Sequence, residues 1–253
     1  MRLMAQLLHR LTRSALPDHS LPHYVRSLDG VCSQMNRGDN LSSASAPAPS
    51  GDCDLPLDRR DLNLFTDLMA RLLLIQHPDS SCETVAQIEV KVAPQSADSL
   101  VLSYIVSGQI DDIQMPSVAA AERSDELWCH TCFEIFIGTL ESTEYYEFNF
   151  APSTRWAAYR FNSYRSDKTV ATEVDAPRIK VRAAPDCYTL QASVQIAQLS
   201  ALSLKSAWRL GLSALIEDKA GHMSYWALAH PPGKPDFHHR DCFAYEFSPV
   251  VSL

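Results

Sequence analysis

Two runs within residues 127–164, LWCHTCFEIFIGTLESTEYYEFNFAPSTRWAAYRFNSY, alternate apolar with polar side chains. A period of two marks a strand, because successive side chains point to opposite faces of a sheet. In the first run Phe133, Ile135 and Ile137 share one face, and Cys132, Glu134 and Phe136 share the other. In the second, Tyr146, Phe148 and Phe150 oppose Tyr145, Glu147 and Asn149. Each run therefore sets carboxylates beside aromatic rings on one strand face. Such a face is either solvated or built to hold a polar ligand.

The same rhythm fills the chain beyond Ser81. Residues 85–92 alternate, with Ile88, Val90 and Val92 inward against Glu89 and Lys91, and residues 100–106 are uniformly apolar, as a central strand would be, ending at Gly108. Further strands are predicted at residues 178–182, 188–196, 208–216, 224–229 and 242–247, with one short helix-like run near 198–204. Many short strands divided by Gly, Pro, Asn and Asp turns predict an all-β antiparallel sandwich or barrel over residues 81–253. The preceding sequence differs. Leu3, Leu7, Leu8 and Leu11 recur at helical spacing, and residues 40–58 (NLSSASAPAPSGDCDLPLD) are too poor in large apolar side chains to offset chain entropy. Residues 1–60 thus read as a helical, partly disordered extension. Residues 61–80 read as a lead-in, with a helix over 61–76 that carries Leu62, Phe65, Met69, Leu72 and Ile75 on one stripe and stops at His77-Pro78.

Composition narrows the function classes. An apolar share of 46% in 253 residues supports a large core. A net charge of −8 argues against a nucleic-acid or anionic-membrane binder, which needs basic patches to offset phosphate. No apolar run reaches the ~20 residues of a membrane helix. Seven cysteines are an odd count that does not suit a closed disulfide framework, and a reducing, cytoplasmic setting is expected. Residues 1–17 carry Arg2, Arg10 and Arg13 with no acid, which suits an amphipathic extension or an organelle transit segment.

Three blocks, LWCHTCFEIFI, YYEFNFAPSTRWAAYRFNSYR and GHMSYWALAHPPGKPDFHHRDCF, together resemble bacterial DOMON-like domains, from Ile75 to the C-terminus. These are β-sandwiches similar to the family-nine carbohydrate-binding modules of secreted xylanases. The resemblance implies a non-catalytic domain that binds a saccharide or a sugar-containing metabolite. In those modules two tryptophans clamp a sugar while charged and amide side chains take its hydroxyls, which suits the apolar C–H faces and polar rim of a pyranose. Here Trp128 and Trp226 match the clamp, Glu134 the carboxylate beside the first tryptophan, and Glu147 with Asn149 the polar pair. Where the modules carry an arginine in that pair, this sequence has Glu147.

Other chemistries stay open at this level. Some DOMON domains hold b-type haem between Met and His, and Met223 with His222, His230 or His238 would serve. Cys129, Cys132, His239 and Cys242 have spacings compatible with tetrahedral zinc, although residues three apart on a strand point to opposite faces. Glu134 and Glu147 are the one carboxylate pair that resembles a glycosidase dyad. No nucleophile elbow, phosphate loop or His-Glu-x-x-His motif accompanies them. Binding without turnover is the expectation.

Overall fold

The computed structural model describes residues 69–203 and 206–248. The expected N-terminal helix, the Ser/Ala/Pro tract and the first part of the 61–76 helix lie outside these residues. Within them the chain is an antiparallel β-sandwich of thirteen strands. The first sheet has the order β1 (Ala70–Leu73), β3 (Val85–Ser96), β4 (Ser99–Gly108), β10 (Cys187–Gln195), β9 (Arg178–Ala184). The second runs β2 (Ile75–Gln76), β12 (Met223–Ala227), β11 (Trp208–Glu217), β5 (Cys132–Thr139), β6 (Tyr145–Phe150), β7 (Trp156–Phe161), β8 (Thr169–Val170), with β13 (Tyr245–Phe247) also on β11. Local hairpins build much of each sheet, and pairings between distant segments complete them: β4 with β10 in the first, and β5 with β11 and β2 with β12 in the second.

The alternation places the core. Ile88, Val90 and Val92 face Leu102, Tyr104, Leu190, Ala192 and Val194 of their own sheet and, across the sandwich, Phe133, Ile135, Ile137, Tyr146, Phe148 and Phe150. Burying rings of this size at ~25 cal/mol per Å² is the main force holding the two sheets together. Phe133 is stacked on Tyr188 with ring centroids 6.1 Å apart. Tyr104 donates its hydroxyl across the sandwich to the Glu134 carbonyl at 2.6 Å, which satisfies the one polar atom of a fully buried ring. Gly108 ends β4 at φ +148°, where a Cβ would sit 2.1 Å from the Thr84 carbonyl, so no other residue fits there.

Two expected helical segments are not helical. Over its described part the 61–76 segment is strand: Ala70 and Leu72 pair with Val92 and Val90 in one sheet, and Ile75 and Gln76 pair with Ala227 and Trp226 in the other. Leu74, where the chain crosses between sheets, is the buried residue, while Leu73 and Ile75 are exposed. The apolar spacing that suggested a helical stripe serves a period of two interrupted by this crossing, and ladder bonds to two sheets outweigh local propensity. The run near 198–204 contributes only the end of a 3-10 turn, Ile196–Gln198, followed by buried Leu199 and Leu202. The described residues contain no α-helix.

Candidate functional site

The outer face of the eight-stranded sheet carries a second apolar cluster, which includes Phe136, Tyr145, Tyr159, Phe161 and Phe237. Register brings a polar row to its middle. Across neighbouring strands Ala227, Ser213, Glu134, Asn149 and Ala157 stand side by side. The next row on the same face is Gly211, Phe136, Glu147, Tyr159 and Val170. Small side chains thus flank Ser213, Glu134 and Asn149, and Tyr159 stands beside Glu147. Glu134, Glu147 and Asn149 are 3%, 4% and 0% exposed, which is unusual for an outward-facing trio.

Hydrogen bonds join these groups to one another. Asn149 Nδ2 donates to Glu147 Oε1 at 2.7 Å, and Ser213 Oγ donates to Glu134 Oε2 at 3.0 Å. The Cys132 thiol donates to Asn149 Oδ1 at 3.6 Å. Burial drives the Glu134 carboxyl well above the ordinary carboxylate range, and the neighbouring Glu147 pushes it further, against the Ser213 bond. Burial also raises Glu147, but the Asn149 bond and the charges of Lys168 and Arg165 hold it back. Of the two, Glu134 is the carboxyl more readily protonated and Glu147 the one more readily charged.

Three connections close over this face. In the connection of residues 109–131, residues 119–124 follow the β7 edge, where the Arg123 guanidinium donates to the carbonyls of Ala158 and Ala171 and lies over Trp156. Glu126, at φ +60°, then turns the chain into the 3-10 turn Leu127–Cys129, which sets Trp128 edge-on to Tyr159 at 6.0 Å and 70°. The β7–β8 connection, with Arg165 and Asp167 at φ +52° and +54°, delivers Lys168. Its ammonium lies 3.7 Å from the Tyr159 ring centroid and 4.2 Å from that of Trp128. The third connection, residues 228–244, packs close because Gly211 offers no side chain: a Cβ there would stand 3.2 Å from the Cys242 carbonyl.

This third connection carries His238 against Phe136 and Phe161, with Nδ1 2.9 Å from the Tyr145 hydroxyl and Nε2 3.7 Å from Glu147 Oε2. The Tyr145 hydroxyl accepts from the Arg165 amide, so its own proton goes to Nδ1 and the imidazole proton sits on Nε2, towards Glu147. Burial, helped by the Arg165 charge, lowers the His238 pKa to about 3 and keeps the ring neutral.

The expected residues divide. Glu134, Glu147 and Asn149 come together. Trp128 reaches the same side, though from the 3-10 turn and not from the strand face its six-residue spacing from Glu134 suggested. Trp226 does not join them: it pairs with Ala214, faces the main core at 5% exposure, and donates Nε1 to Ser224 Oγ. One step in register decides this, because Tyr225 and Met223 are the residues of β12 on the outer side. A two-tryptophan clamp is therefore not formed.

The zinc candidates do not converge either. Cys129 is exposed, Cys132 is buried beneath Asn149, and Cys242 donates its thiol to the Asp236 carbonyl. His239 Nδ1 accepts from the Asp241 amide. Among the described residues no three His, Cys, Asp or Glu side chains form a group able to hold a metal ion. Of the histidines named for haem, His222 Nδ1 pairs with Asp218, His230 Nε2 contacts the Ile75 carbonyl, and His238 Nε2 faces Glu147.

Several residues of the site escaped the sequence reading. Tyr159 and Ala157 share a parity within WAAYRF that a strand assignment would have exposed, and Ser213 lies at the matching parity of β11. Lys168 carries no local signal, since only the β7–β8 connection brings it over Trp128.

No protein-family model matches the chain, and no curated protein does. Among solved structures, it is similar to a "putative carbohydrate-binding protein" from Bacteroides uniformis ATCC 8492, at 14% identity and a TM-score of 0.52, over 68% of this chain and 83% of that one. Two structures of a family 9 carbohydrate-binding module from Caldicellulosiruptor kristjanssonii also match. The cellotriose complex gives 14% identity, a TM-score of 0.40 and coverage of 73% and 83%; the glucose complex gives 15%, 0.39, and 73% and 84%. The likeness to the Bacteroides protein is one of fold, an antiparallel β-sandwich.

Proposed function

We propose that the outer face of the eight-stranded sheet binds a saccharide or sugar-containing metabolite without transforming it, and that the domain belongs with the DOMON-like sandwiches its three sequence blocks resemble. One observation carries this reading: Glu134, Glu147 and Asn149 are almost fully buried on an outward face, the first and last in a row of small side chains and Glu147 beside Tyr159, which meets Trp128. Buried carboxylates cost stability wherever they serve packing alone. Acceptors and donors at the floor of an aromatic-walled face suit a pyranose, whose hydroxyls need both and whose C–H face suits a ring. The carbohydrate-binding description of the Bacteroides protein with the same sandwich agrees with this reading. Titration calorimetry with a panel of mono- and disaccharides, on wild type and Trp128→Ala, tests it. Saccharide binding that Trp128→Ala weakens is expected; no saccharide binding by the folded wild type overturns it.

The split between a protonated Glu134 and a charged Glu147 favours one second reading, acid–base cleavage of a glycoside. Turnover of an aryl glycoside that Glu134→Gln and Glu147→Gln each abolish, with the melting temperature kept, would replace binding with catalysis.

A further inference from the structure

The Lys168 ammonium occupies a seat made by other residues. Trp128 and Tyr159 meet at 70° and form a two-walled corner, with the ammonium within 4.2 Å of one ring centroid and 3.7 Å of the other. Aromatic faces attract cations through their quadrupoles, and paired faces are a known means of holding alkylammonium groups. Acids complete the corner. Asp125 accepts from the Tyr159 hydroxyl, Glu126 precedes the turn that carries Trp128, and Glu147 stands next to Tyr159 in register. Burial lowers the Lys168 pKa, and Glu147 leads the carboxylates that resist this.

The occupant is the least fixed part of this arrangement. Lys168 is an exposed residue directly before β8, a two-residue edge strand whose residues are both exposed. Its side chain can swing into water without breaking a ladder bond. The walls are held far better: Tyr159 is 2% exposed in the middle of β7, and the segment bearing Trp128 is tied to β7 by Arg123. A firm seat for an ammonium, filled by a tethered and displaceable ammonium, describes a site whose external ligand brings its own.

We propose that this corner selects a ligand bearing a free ammonium group, an amino sugar on the saccharide reading above, and that Lys168 is the internal competitor it displaces. The amine of the ligand takes the place of Nζ between Trp128 and Tyr159, and its hydroxyls meet Glu147 and Asn149. The inference rests on the saccharide reading only for the sugar part, because the ammonium seat exists without it.

Calorimetry with D-glucosamine, D-glucose, N-acetyl-D-glucosamine and choline, on full-length wild type and Lys168→Ala, separates the two. Glucosamine should bind wild type more tightly than glucose or the uncharged N-acetyl form. Lys168→Ala should raise glucosamine affinity by roughly three- to tenfold, the range expected when one cation–π competitor is removed, and leave glucose affinity less changed. Choline binding without any sugar binding supports the seat and removes the saccharide reading. Glucose binding with no preference for glucosamine in either protein overturns the inference and leaves the saccharide reading standing. Weaker glucosamine binding by Lys168→Ala also overturns it, because Lys168 would then be a contact and not a competitor.

Discussion

Asn149 Nδ2 donates to Glu147 Oε1 at 2.7 Å, so the floor of the candidate site is held by an amide and a carboxylate two residues apart on one strand face. The same amide takes the Cys132 thiol on its oxygen. Asn149→Ala takes the amide from both buried partners and leaves Glu147 Oε1 without its donor. A loss of about 1–3 kcal/mol in unfolding free energy is expected, because an orphaned buried group keeps its full desolvation cost. Urea unfolding measures it. An unchanged midpoint and slope would mean that the amide does not hold Glu147 in place.

The two tryptophans first considered as a clamp should respond in opposite ways. Trp226→Ala removes a core side chain that touches no ligand, and about 3–5 kcal/mol of stability should go with it. Trp128→Ala truncates a half-buried side chain in a turn, so the melting temperature should shift little while saccharide affinity falls. Thermal melts and calorimetry on both variants check the contrast. Equal destabilisation by the two substitutions would contradict the placement of Trp128.

A third expectation concerns the link between the core and the site. The Tyr104 hydroxyl reaches the carbonyl of Glu134 from the opposite side of the strand that presents the Glu134 carboxyl outward. Tyr104→Phe keeps the ring and removes this tie, at a cost of roughly 0.5–1.5 kcal/mol for one buried hydrogen bond. Ligand affinity should fall modestly as well, although Tyr104 never meets the ligand. Unfolding and binding measured on the same preparation report the two effects together.

The strands of the sandwich were legible because alternation is local. Phe133, Ile135 and Ile137 declare their face within five residues, and the same parity correctly put Glu134 opposite them. Glu147 and Asn149 were legible for the same reason. Trp226 was not. Its neighbours Tyr225 and Ala227 are also apolar or aromatic, so β12 has no clean alternation, and only pairing with Ala214 reveals that it faces inward. The strands at 70–76 were hidden by a crossing between sheets at Leu74, which breaks the period of two. Lys168, Ser213 and His238 reach the site from three distant segments. Long-range pairing and loop closure assemble them, and neither leaves a mark in a window of ten residues.

The sharpest physical test is the dependence of stability on pH, because two buried groups of the site should pull it in opposite directions. His238 is lowered from 6.5 to about 3 by burial among Phe136, Phe161 and Tyr145, with Arg165, Lys168, Asp236 and Glu147 around it. Between those values the unfolded chain takes up a proton that the folded chain refuses. Stability is therefore complete above 6.5 and declines as pH falls towards about 3. Glu134 behaves in reverse. Its folded pKa lies well above 4.5, so the folded chain keeps a proton that the unfolded chain releases, and stability declines as pH rises from 4.5 through the raised value. Melting temperatures taken from about pH 4 to about pH 9 should trace a dome. His238→Gln should flatten its acid limb and Glu134→Gln its alkaline limb. If Glu134→Gln leaves the alkaline limb as steep as in wild type, Glu134 is already charged at neutral pH, and its reading as the more readily protonated carboxyl is wrong.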